Sequence, residues 1–247
     1  LTAYDKDPAT LAAAMETGLF EHVTDDIDTL LSLDFDMIYI CLPVQTACQF
    51  VHELGKRGLE KSVTDAGSTK TDIVEAAEEA GINFCGGHPI AGKELSGFAN
   101  AKAGLFKGAY HILTPTCPGY DIEPLIELHE SIGMKVKVMN HEKHDTVFGL
   151  VSHLPHITAF SMVQTVSAVD IEALEFTGAG FKDFSRIAAS DPRMWTDIFL
   201  DNDKNMISLI DSYITEMQRW KKAIEEADEK EIFNMIEHAA KIRRTLS

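Results

Sequence analysis

The chain has 247 residues, of which 45% are hydrophobic and 25% charged, and its formal net charge is −17. This is the composition of a soluble globular protein with one large or two smaller domains. So acidic a chain is a poor partner for nucleic acid or an anionic membrane, because phosphate binding needs clustered lysine and arginine.

The cysteines indicate the compartment. Cys41, Cys48, Cys85 and Cys117 form no CxxC pair, and three of the four lie in or near apolar runs. Buried, reduced thiols of a cytoplasmic protein fit this pattern best. The sequence shows no signal peptide, and no apolar run approaches the roughly 18 residues that span a membrane. We therefore predict a cytoplasmic protein without membrane contact.

The first half of the chain alternates strand and helix patterns. Asp7 and Pro8 mark the start of the first helix, and residues 36–42 form an apolar run typical of a strand buried on both faces. Further strands are predicted at residues 1–5, 62–65, 82–85, 109–113 and 135–139, and helices at residues 46–56, 69–80 and 122–132. This alternation predicts an open, mostly parallel α/β sheet.

The pattern changes near residue 140. Beyond it we find only helical patterns, at residues 142–169, 192–220 and 230–244. We predict a first domain over residues 1–139 and an all-helical second domain over residues 140–247. Long helices with exposed apolar faces tend to be buried against another subunit, so we expect a homodimer.

Residues 84–94, FCGGHPIAGKE, place a histidine at the end of a strand. Gly86 and Gly87 precede His88, and Pro89 favours an extended conformation for it. An imidazole with an ordinary pKa near 6.5 is suited to proton transfer, and catalytic groups favour loops on rigid scaffolds. The alternative is a histidine that merely flanks a turn. This segment alone does not separate the two interpretations.

Asp5 ends the first strand visible in this chain, which would be the second strand of a dinucleotide-binding fold, and so indicates a nucleotide site. In dinucleotide-binding folds, an acid at the end of the second strand binds the adenine ribose and favours NAD over NADP. The alternative is a turn aspartate before a helix. The GxGxxG loop that should precede such an acid by about 20 residues is absent. We therefore expect a Rossmann-like domain whose first strand and glycine-rich loop are missing from this chain, or else an incomplete nucleotide site.

Two loops follow the next strands. Ligands of open α/β sheets bind at the carboxyl ends of strands, which makes these loops candidates for contact with a cofactor. The candidate cofactor contacts are Leu42, Pro43, Val44, Asp65 and Gly67. Ser68 follows directly and is a candidate for the reaction itself, although its place before a helix also suits a cap.

Histidines at metal-ligand spacing occur twice. His153 and His156 lie three residues apart on a predicted helix, and His141 and His144 repeat the spacing. Such pairs can bind a metal, but no HExxH motif or thiol partner accompanies them, so we predict no metal site. Pro155 should bend the helix and place His153 at a cleft.

Residues 180–195, GFKDFSRIAASDPRMW, combine aromatic and basic side chains between two helices. Arg186 can hold a carboxylate through two parallel hydrogen bonds. The alternative is an interhelix salt bridge from Arg186 to Asp183 or Asp191. On this segment alone the salt bridge is the simpler interpretation.

Three segments together resemble the prephenate dehydrogenase family: HPIAGKE at residues 88–94, VSHLPH at residues 151–156, and residues 180–195. They occur in the family's order and the resemblance covers essentially the whole chain. It implies NAD-dependent oxidation of prephenate, with loss of CO2, to 4-hydroxyphenylpyruvate in tyrosine biosynthesis. It also implies a nucleotide-binding domain, with Asp5 as its ribose-binding acid, and a helical domain for substrate binding and dimerisation.

The resemblance implies roles for single residues. His88 corresponds to the histidine that hydrogen-bonds the C4 hydroxyl of prephenate, and Ser68 to a serine that helps to orient it. Arg186 corresponds to the arginine that holds a substrate carboxylate. His153 and Lys182 fall in the family's substrate cleft. The chemistry agrees, because hydride leaves C4 more easily when a neutral imidazole withdraws the hydroxyl proton.

Other functions stay open at this stage. A dehydrogenase that uses arogenate, which differs from prephenate by a side-chain amino group, would carry the same residues. A non-catalytic module that binds a metabolite of the aromatic pathway would account for the absent glycine-rich loop. A histidine-based metal hydrolase would require bound metal.

Overall fold

The computed structural model describes residues 1–92, 97–116 and 120–246. Lys93 and Glu94, the last residues of the histidine motif, and Cys117 lie outside the described residues. The chain divides into two compact units, Leu1–Asn202 and residues 203 onward. The domain boundary expected at residues 139–140 stays a prediction.

The first unit contains all the strands of the described chain. The strands are β1 (Thr2–Tyr4), β2 (His22–Thr24), β3 (Met37–Ile40), β4 (Ser62–Asp65), β5 (Phe84–Pro89), β6 (Tyr110–Pro115) and β7 (Lys135–Val138). The helices between them are α1 (Pro8–Glu16), α2 (Ile27–Ser32), α3 (Val44–Lys56), α4 (Thr71–Ala80) and α5 (Glu123–Ser131).

The strands form two sheets. β1 and β2 pair in parallel, and the other five strands pair in the order β3-β4-β5-β6-β7. Every pair is parallel except β5 with β6, which is antiparallel. The predicted mostly parallel α/β sheet is therefore confirmed, whereas β2 and α2 were not anticipated from the sequence.

Local sequence explains where these elements begin and end. The Asp7 carboxylate accepts the backbone N–H groups of Ala9 and Thr10 and so caps α1 at the predicted place. Gly81 ends α4 in the left-handed conformation, with a φ of 65°, which costs glycine little. The core lies between the sheet and the α3–α4 pair, where Val51, Leu54, Val63, Ile73 and Phe84 are completely buried.

Beyond β7 every described element is helical, as predicted. These helices are α6 (His141–Phe148), α7 (Leu154–Val169), α8 (Ala179–Ser185) and α9 (Pro192–Asp201) in the first unit, and α10 (Asp203–Glu225) and α11 (Glu229–Arg243) in the second. The single helix expected over residues 192–220 is wrong, because it is divided at Asn202. The helix expected over residues 142–169 is interrupted by a π-helical turn, Gly149–His153.

The helical stretch His141–Val169 corrects the expectation that no apolar run approaches membrane-spanning length. It has 29 residues, and an 18-residue window within it has a mean hydropathy of 1.3. Serines, threonines and histidines interrupt its apolar residues, so that no long, purely apolar run is visible in the sequence although the stretch is largely uncharged. By length and composition alone it could cross a membrane, and core helices of soluble proteins pass the same test. His144 and His153 within it are fully buried in the first unit.

The second unit is a pair of helices. Arg219 on α10 donates to Glu231 Oε1 on α11, with the Nε to Oε1 distance 2.8 Å, and Asp228 caps α11 by accepting the N–H of Glu231. α10 also carries exposed apolar side chains on recurring turns: Ile207, Ile214, Met217 and Ile224 are 47–63% exposed. Such a face is suited to burial against another surface.

Gly87→Ala is expected to lower the free energy of unfolding by about 1–3 kcal/mol, the usual cost of overpacking. A Cβ at this position would lie 2.4 Å from the Asp65 carbonyl oxygen and 2.9 Å from His111 Nε2. Equilibrium urea unfolding would measure the change. Gly180→Ala on α8 is the control, because its Cβ would meet nothing within 4 Å. Equal stability of Gly87→Ala and the parent protein would show that β5 moves to accommodate the methyl group.

Candidate active site

A cavity of about 450 Å³ lies in the first unit where the end of β5 meets the helices that follow β7. Its lining includes Ser68, His88 and the next four residues, Phe148, Val151, Ser152, His153, His156, Arg186, Ile187, Ser190, Met194, Trp195 and Ile198. Four predicted site residues, Ser68, His88, His153 and Arg186, therefore share one cavity. A larger cavity of about 800 Å³ between α10 and α11 contains none of the predicted residues.

The glycines before His88 let β5 lie close to its neighbours. A Cβ on Gly86 would lie 2.2 Å from Thr114 Oγ1, so only glycine fits there without a shift. The ring of His88 then meets that of Phe148 edge-on, with 4.9 Å between centroids. Its Nδ1 lies 2.8 Å from Nε2 of His144. His88 is thus held at the cavity wall by contacts to α6.

Asp145 connects α6 to α4. Its Oδ1 accepts the N–H of Lys70 and its Oδ2 that of Thr71, both at 2.8 Å. α4 has no side-chain cap of its own, so the Asp145 carboxylate occupies the place where a cap and a negative charge are favoured. His144 Nδ1 lies 2.8 Å from the same Oδ1. The start of α4 therefore orients the carboxylate of Asp145, and the carboxylate orients His144.

A buried ion pair supports the loop after β4. Lys70 Nζ donates to Asp65 Oδ2, and both side chains are almost completely buried. The carboxylate also accepts the N–H groups of Gly67 and Gly87, each at 2.8 Å. Asp65 thus connects the Ser68 loop to the strand that carries His88. Removing one partner of such a pair is strongly destabilising, because the other charge stays buried.

His153 is oriented by Asn202. The Asn202 amide nitrogen lies 2.9 Å from the carbonyl oxygen of Asp145, which identifies it as Nδ2, a donor. The same nitrogen lies 3.1 Å from His153 Nδ1, which therefore accepts. Burial lowers the pKa of His153 to about 4. The ring is neutral at pH 7 with its proton on Nε2, so it can donate a hydrogen bond.

The sequence did not identify Ser152 and His156 as cavity residues. His156 Nδ1 donates to the Ser152 carbonyl oxygen at 2.8 Å, and the ring stacks on Trp195 with 3.6 Å between centroids. Burial lowers the pKa of His156, the carbonyl contact raises it, and the nearby Arg186 guanidinium lowers it. The signals for these two residues in the sequence were the segment VSHLPH at residues 151–156, with its proline at position 155, and the spacing of the two histidines.

The π-helical turn explains why these residues reach the cavity. An α-helix places residues four apart above one another, and the inserted π turn of Gly149–His153 shifts that register by one residue. Such turns are rare and occur frequently at functional sites. Pro155 then begins α7 within its first turn, where a missing N–H is tolerated. The helix type therefore changes before Pro155, and the bend predicted at that proline stays a prediction.

Two remaining cationic candidates differ in position. Arg186 begins a short 3₁₀ turn after α8 and lines the cavity. Lys182 lies within α8, is exposed, and is not among the described residues that line the cavity. Its role in substrate binding stays a prediction.

Comparison with known proteins assigns the family. The nucleotide-binding domain of prephenate dehydrogenase matches residues 1–138, and the dimerization domain of prephenate dehydrogenase matches residues 140–238. The chain belongs to the prephenate dehydrogenase family. The resemblance drawn from the three sequence segments is therefore confirmed.

Relatives of known name and structure agree with this family. The chain is 34% identical to the prephenate dehydrogenase of Bacillus subtilis over 94% of its own length, and spans 65% of that protein. A crystal structure of A. aeolicus prephenate dehydrogenase with hydroxyphenyl propionate and NAD+ is 33% identical, with a TM-score of 0.92, over 100% of this chain and 88% of that one. The crystal structure of Synechocystis arogenate dehydrogenase is 25% identical, with a TM-score of 0.83, over 100% of this chain and 91% of that one.

Within this prephenate dehydrogenase fold, the predicted cofactor contacts lie at carboxyl ends of strands. Asp5 follows β1, and its Oδ1 accepts the N–H of Asp7 at 2.9 Å. Leu42 and Pro43 lie between β3 and α3, and Val44 is the first residue of α3. A Cβ on Gly67 would lie 3.3 Å from Val44 Cγ2, so the loops after β3 and β4 adjoin. These positions fit a dinucleotide, and the individual contacts stay predictions.

Proposed function

We propose that the protein catalyses the NAD-dependent oxidative decarboxylation of prephenate to 4-hydroxyphenylpyruvate, a step of tyrosine biosynthesis. The observation that carries this proposal is the shared cavity of His88 and Arg186. Family membership and the named complex of the A. aeolicus relative support it. We also propose that residues 1–139 bind the nucleotide and residues 140–247 the substrate.

The residues of the chain supply binding and a proton acceptor. Arg186 is suited to hold a carboxylate of the substrate through paired, charge-assisted hydrogen bonds. His88 accepts the proton of the C4 hydroxyl at Nε2, and Ser68, which lines the same cavity, helps to orient that hydroxyl. The bond between the ring and the C1 carboxylate then breaks to give CO2, and its electrons enter the ring. The new phenol oxygen recovers its proton from His88, so the imidazole is regenerated.

NAD, when bound, accepts the hydride from C4. Asp5 is the candidate for the adenine ribose, and the loops after β3 and β4 are the candidates for the rest of the dinucleotide. In the doubly wound fold, strand 1 lies between strands 2 and 4. Because Asp5 follows β1, β1 corresponds to strand 2 of that fold and β3 to strand 4. The place of strand 1 therefore corresponds to the edges of β1 and β3, which belong to separate sheets in the described chain.

The direct test is product formation by the full-length protein. With prephenate and NAD+ we expect NADH, CO2 and 4-hydroxyphenylpyruvate in equal amounts. Arogenate is the second candidate substrate, and the similarity to Synechocystis arogenate dehydrogenase favours including it. A higher kcat/KM for arogenate would reassign the substrate, and no NADH with either compound would contradict the proposal.

Asp5→Ser is expected to lower the preference for NAD over NADP by at least about tenfold. Its carboxylate would bind the ribose hydroxyls and repel a 2′-phosphate, and a hydrogen bond to a charged group contributes roughly 1.5–3 kcal/mol. The ratio of kcat/KM for the two cofactors measures the effect. Asp34→Ser is the control, because it removes the same charge from an exposed position. An unchanged ratio would return Asp5 to the role of a turn residue.

We propose that the protein acts as a cytoplasmic homodimer. The match of residues 140–238 to a dimerization domain supports the dimer. The exposed apolar face of α10 is a suitable contact surface. Sedimentation equilibrium of the full-length protein would test this, since a monomer at micromolar concentration would contradict it.

A further inference from the structure

We propose that His144 and Asp145 are positioning residues that hold His88 in the tautomer whose Nε2 accepts a proton. The three side chains form one chain of contacts: His88 Nδ1 to His144 Nε2, and His144 Nδ1 to Asp145 Oδ1, each at 2.8 Å. The inference rests on the proposed function and adds two residues that are not among the described lining residues of the cavity.

The assignment begins at Asp145, whose charge state is fixed by its partners. Burial alone raises the pKa of its carboxyl, but the hydrogen bonds from His144 and Thr71 outweigh burial and the pKa lies below its ordinary value. Backbone N–H groups of Lys70 and Thr71 are also donors, so both carboxylate oxygens must accept. Asp145 is therefore ionised at neutral pH and can donate to nothing.

The proton of His144 follows from this. Because the carboxylate only accepts, the nitrogen that contacts it, Nδ1, must carry a hydrogen. Burial lowers the pKa of His144 below its ordinary value of 6.5, against the opposing effect of Asp145. The ring is fully buried and neutral at pH 7, so its Nε2 has a lone pair rather than a second hydrogen.

The proton of His88 follows in turn. A lone pair on His144 Nε2 requires that His88 Nδ1 donate across the 2.8 Å contact. A neutral His88 with its proton on Nδ1 has an unprotonated Nε2, and this ring lines the cavity. The hydrogen bond at one imidazole nitrogen thus determines the chemistry of the other.

Burial keeps the imidazole of His88 neutral. Its pKa lies well below the ordinary value because of burial first, and then because of His144, Lys70, His153 and His111. Contact with Phe148 leaves the ring little freedom to turn. A buried carboxylate that orients an imidazole has the same role in Ser-His-Asp triads. Here a second histidine is interposed between carboxylate and base.

The tautomer can be read directly in the full-length protein. Two-bond 1H–15N correlation spectra of protein labelled at histidine distinguish a proton on Nδ1 from one on Nε2. We expect the resonances of His88 to show the proton on Nδ1, with no substrate needed. A proton on Nε2 of His88 would overturn the inference. Because this result does not depend on activity, it stays separate from failure to oxidise prephenate, which would contradict the proposed function instead.

Two substitutions of His144 test whether its contact with His88 contributes to the reaction. His144→Phe keeps a buried ring but removes the acceptor, and is expected to lower kcat for prephenate at least about tenfold with KM within about threefold. His144→Gln is the conservative variant, since its amide can donate to Asp145 and accept from His88. It should retain the His88 tautomer and most of kcat. Equal kcat in His144→Phe and the parent protein, or equal losses in both variants, would overturn the inference.

Discussion

His88→Asn is expected to lower kcat for prephenate oxidation at least about tenfold while KM changes by less than about threefold. General base catalysis contributes typically 10²–10⁴-fold, and asparagine has no group that accepts a proton at neutral pH. Its amide can still form a hydrogen bond with the substrate hydroxyl, which is why binding should be largely kept. Steady-state kinetics with the full-length protein would measure both constants.

The same residue predicts the pH dependence of kcat/KM. Protonation of Nε2 would remove the acceptor, and burial lowers the pKa of His88 well below 6.5. Activity should therefore stay constant as the pH falls from 8 to 6.5 and decline only in more acidic solution. His88→Asn should lose this acidic limb along with the rate.

A histidine away from the cavity supplies the control for His88. His22→Asn changes an exposed residue at the start of β2 and should leave kcat unchanged. A His88→Asn protein that keeps the parent kcat would remove His88 from the chemistry and leave it as a histidine that flanks the end of β5.

Arg186→Ala is expected to raise KM for prephenate by roughly ten- to hundredfold, with a smaller effect on kcat. Prephenate has two carboxylates, and hydrogen bonds to a charged group contribute roughly 1.5–3 kcal/mol. The guanidinium lines the cavity that His88 also lines, so its loss should weaken binding of the ground state and transition state together. Arg186→Lys should recover only part of the affinity, because an ammonium lacks the planar pair of donors.

Arg193→Ala is the matched control for Arg186. Arg193 lies seven residues further on, is exposed on α9, and is not among the described lining residues of the cavity. Its removal changes the net charge equally, so it corrects for long-range attraction of an anionic substrate. If Arg186→Ala and Arg193→Ala have the same KM for prephenate, Arg186 has the role of a structural ion-pairing residue.

Local signals in the sequence predicted much of the fold. Pro8 after Asp7, and the uninterrupted apolar run that ends at Pro43, have physical causes that act within a few residues. The short strand β2 has only three residues, of which one is exposed, so it offers too little alternation to be seen. The antiparallel direction of β6 depends on its long connection to β5, which leaves no periodic signal.

The candidate site was also predicted only in part, because the sequence shows local motifs but not contacts between distant residues. His88 and Arg186 could be singled out because each lies in a dense local motif. The contact between His88 and His144 joins residues 56 positions apart, and no periodicity reports a pairing at that distance. Asn202 was hidden inside what was expected to be one long helix, although its amide orients His153. Orientation of catalytic groups by remote partners is a property of packing, which the sequence pattern does not show.

The central claim is that His88 and Arg186 hold opposite ends of one substrate. A crystal structure of the full-length protein with NAD+ and hydroxyphenyl propionate, the compound bound by the A. aeolicus relative, tests it most directly. We predict the phenol oxygen within about 3 Å of His88 Nε2 and the carboxylate at a similar distance from the Arg186 guanidinium. A ligand that binds with its carboxylate toward His88, or outside the cavity that the two residues share, would contradict the claim.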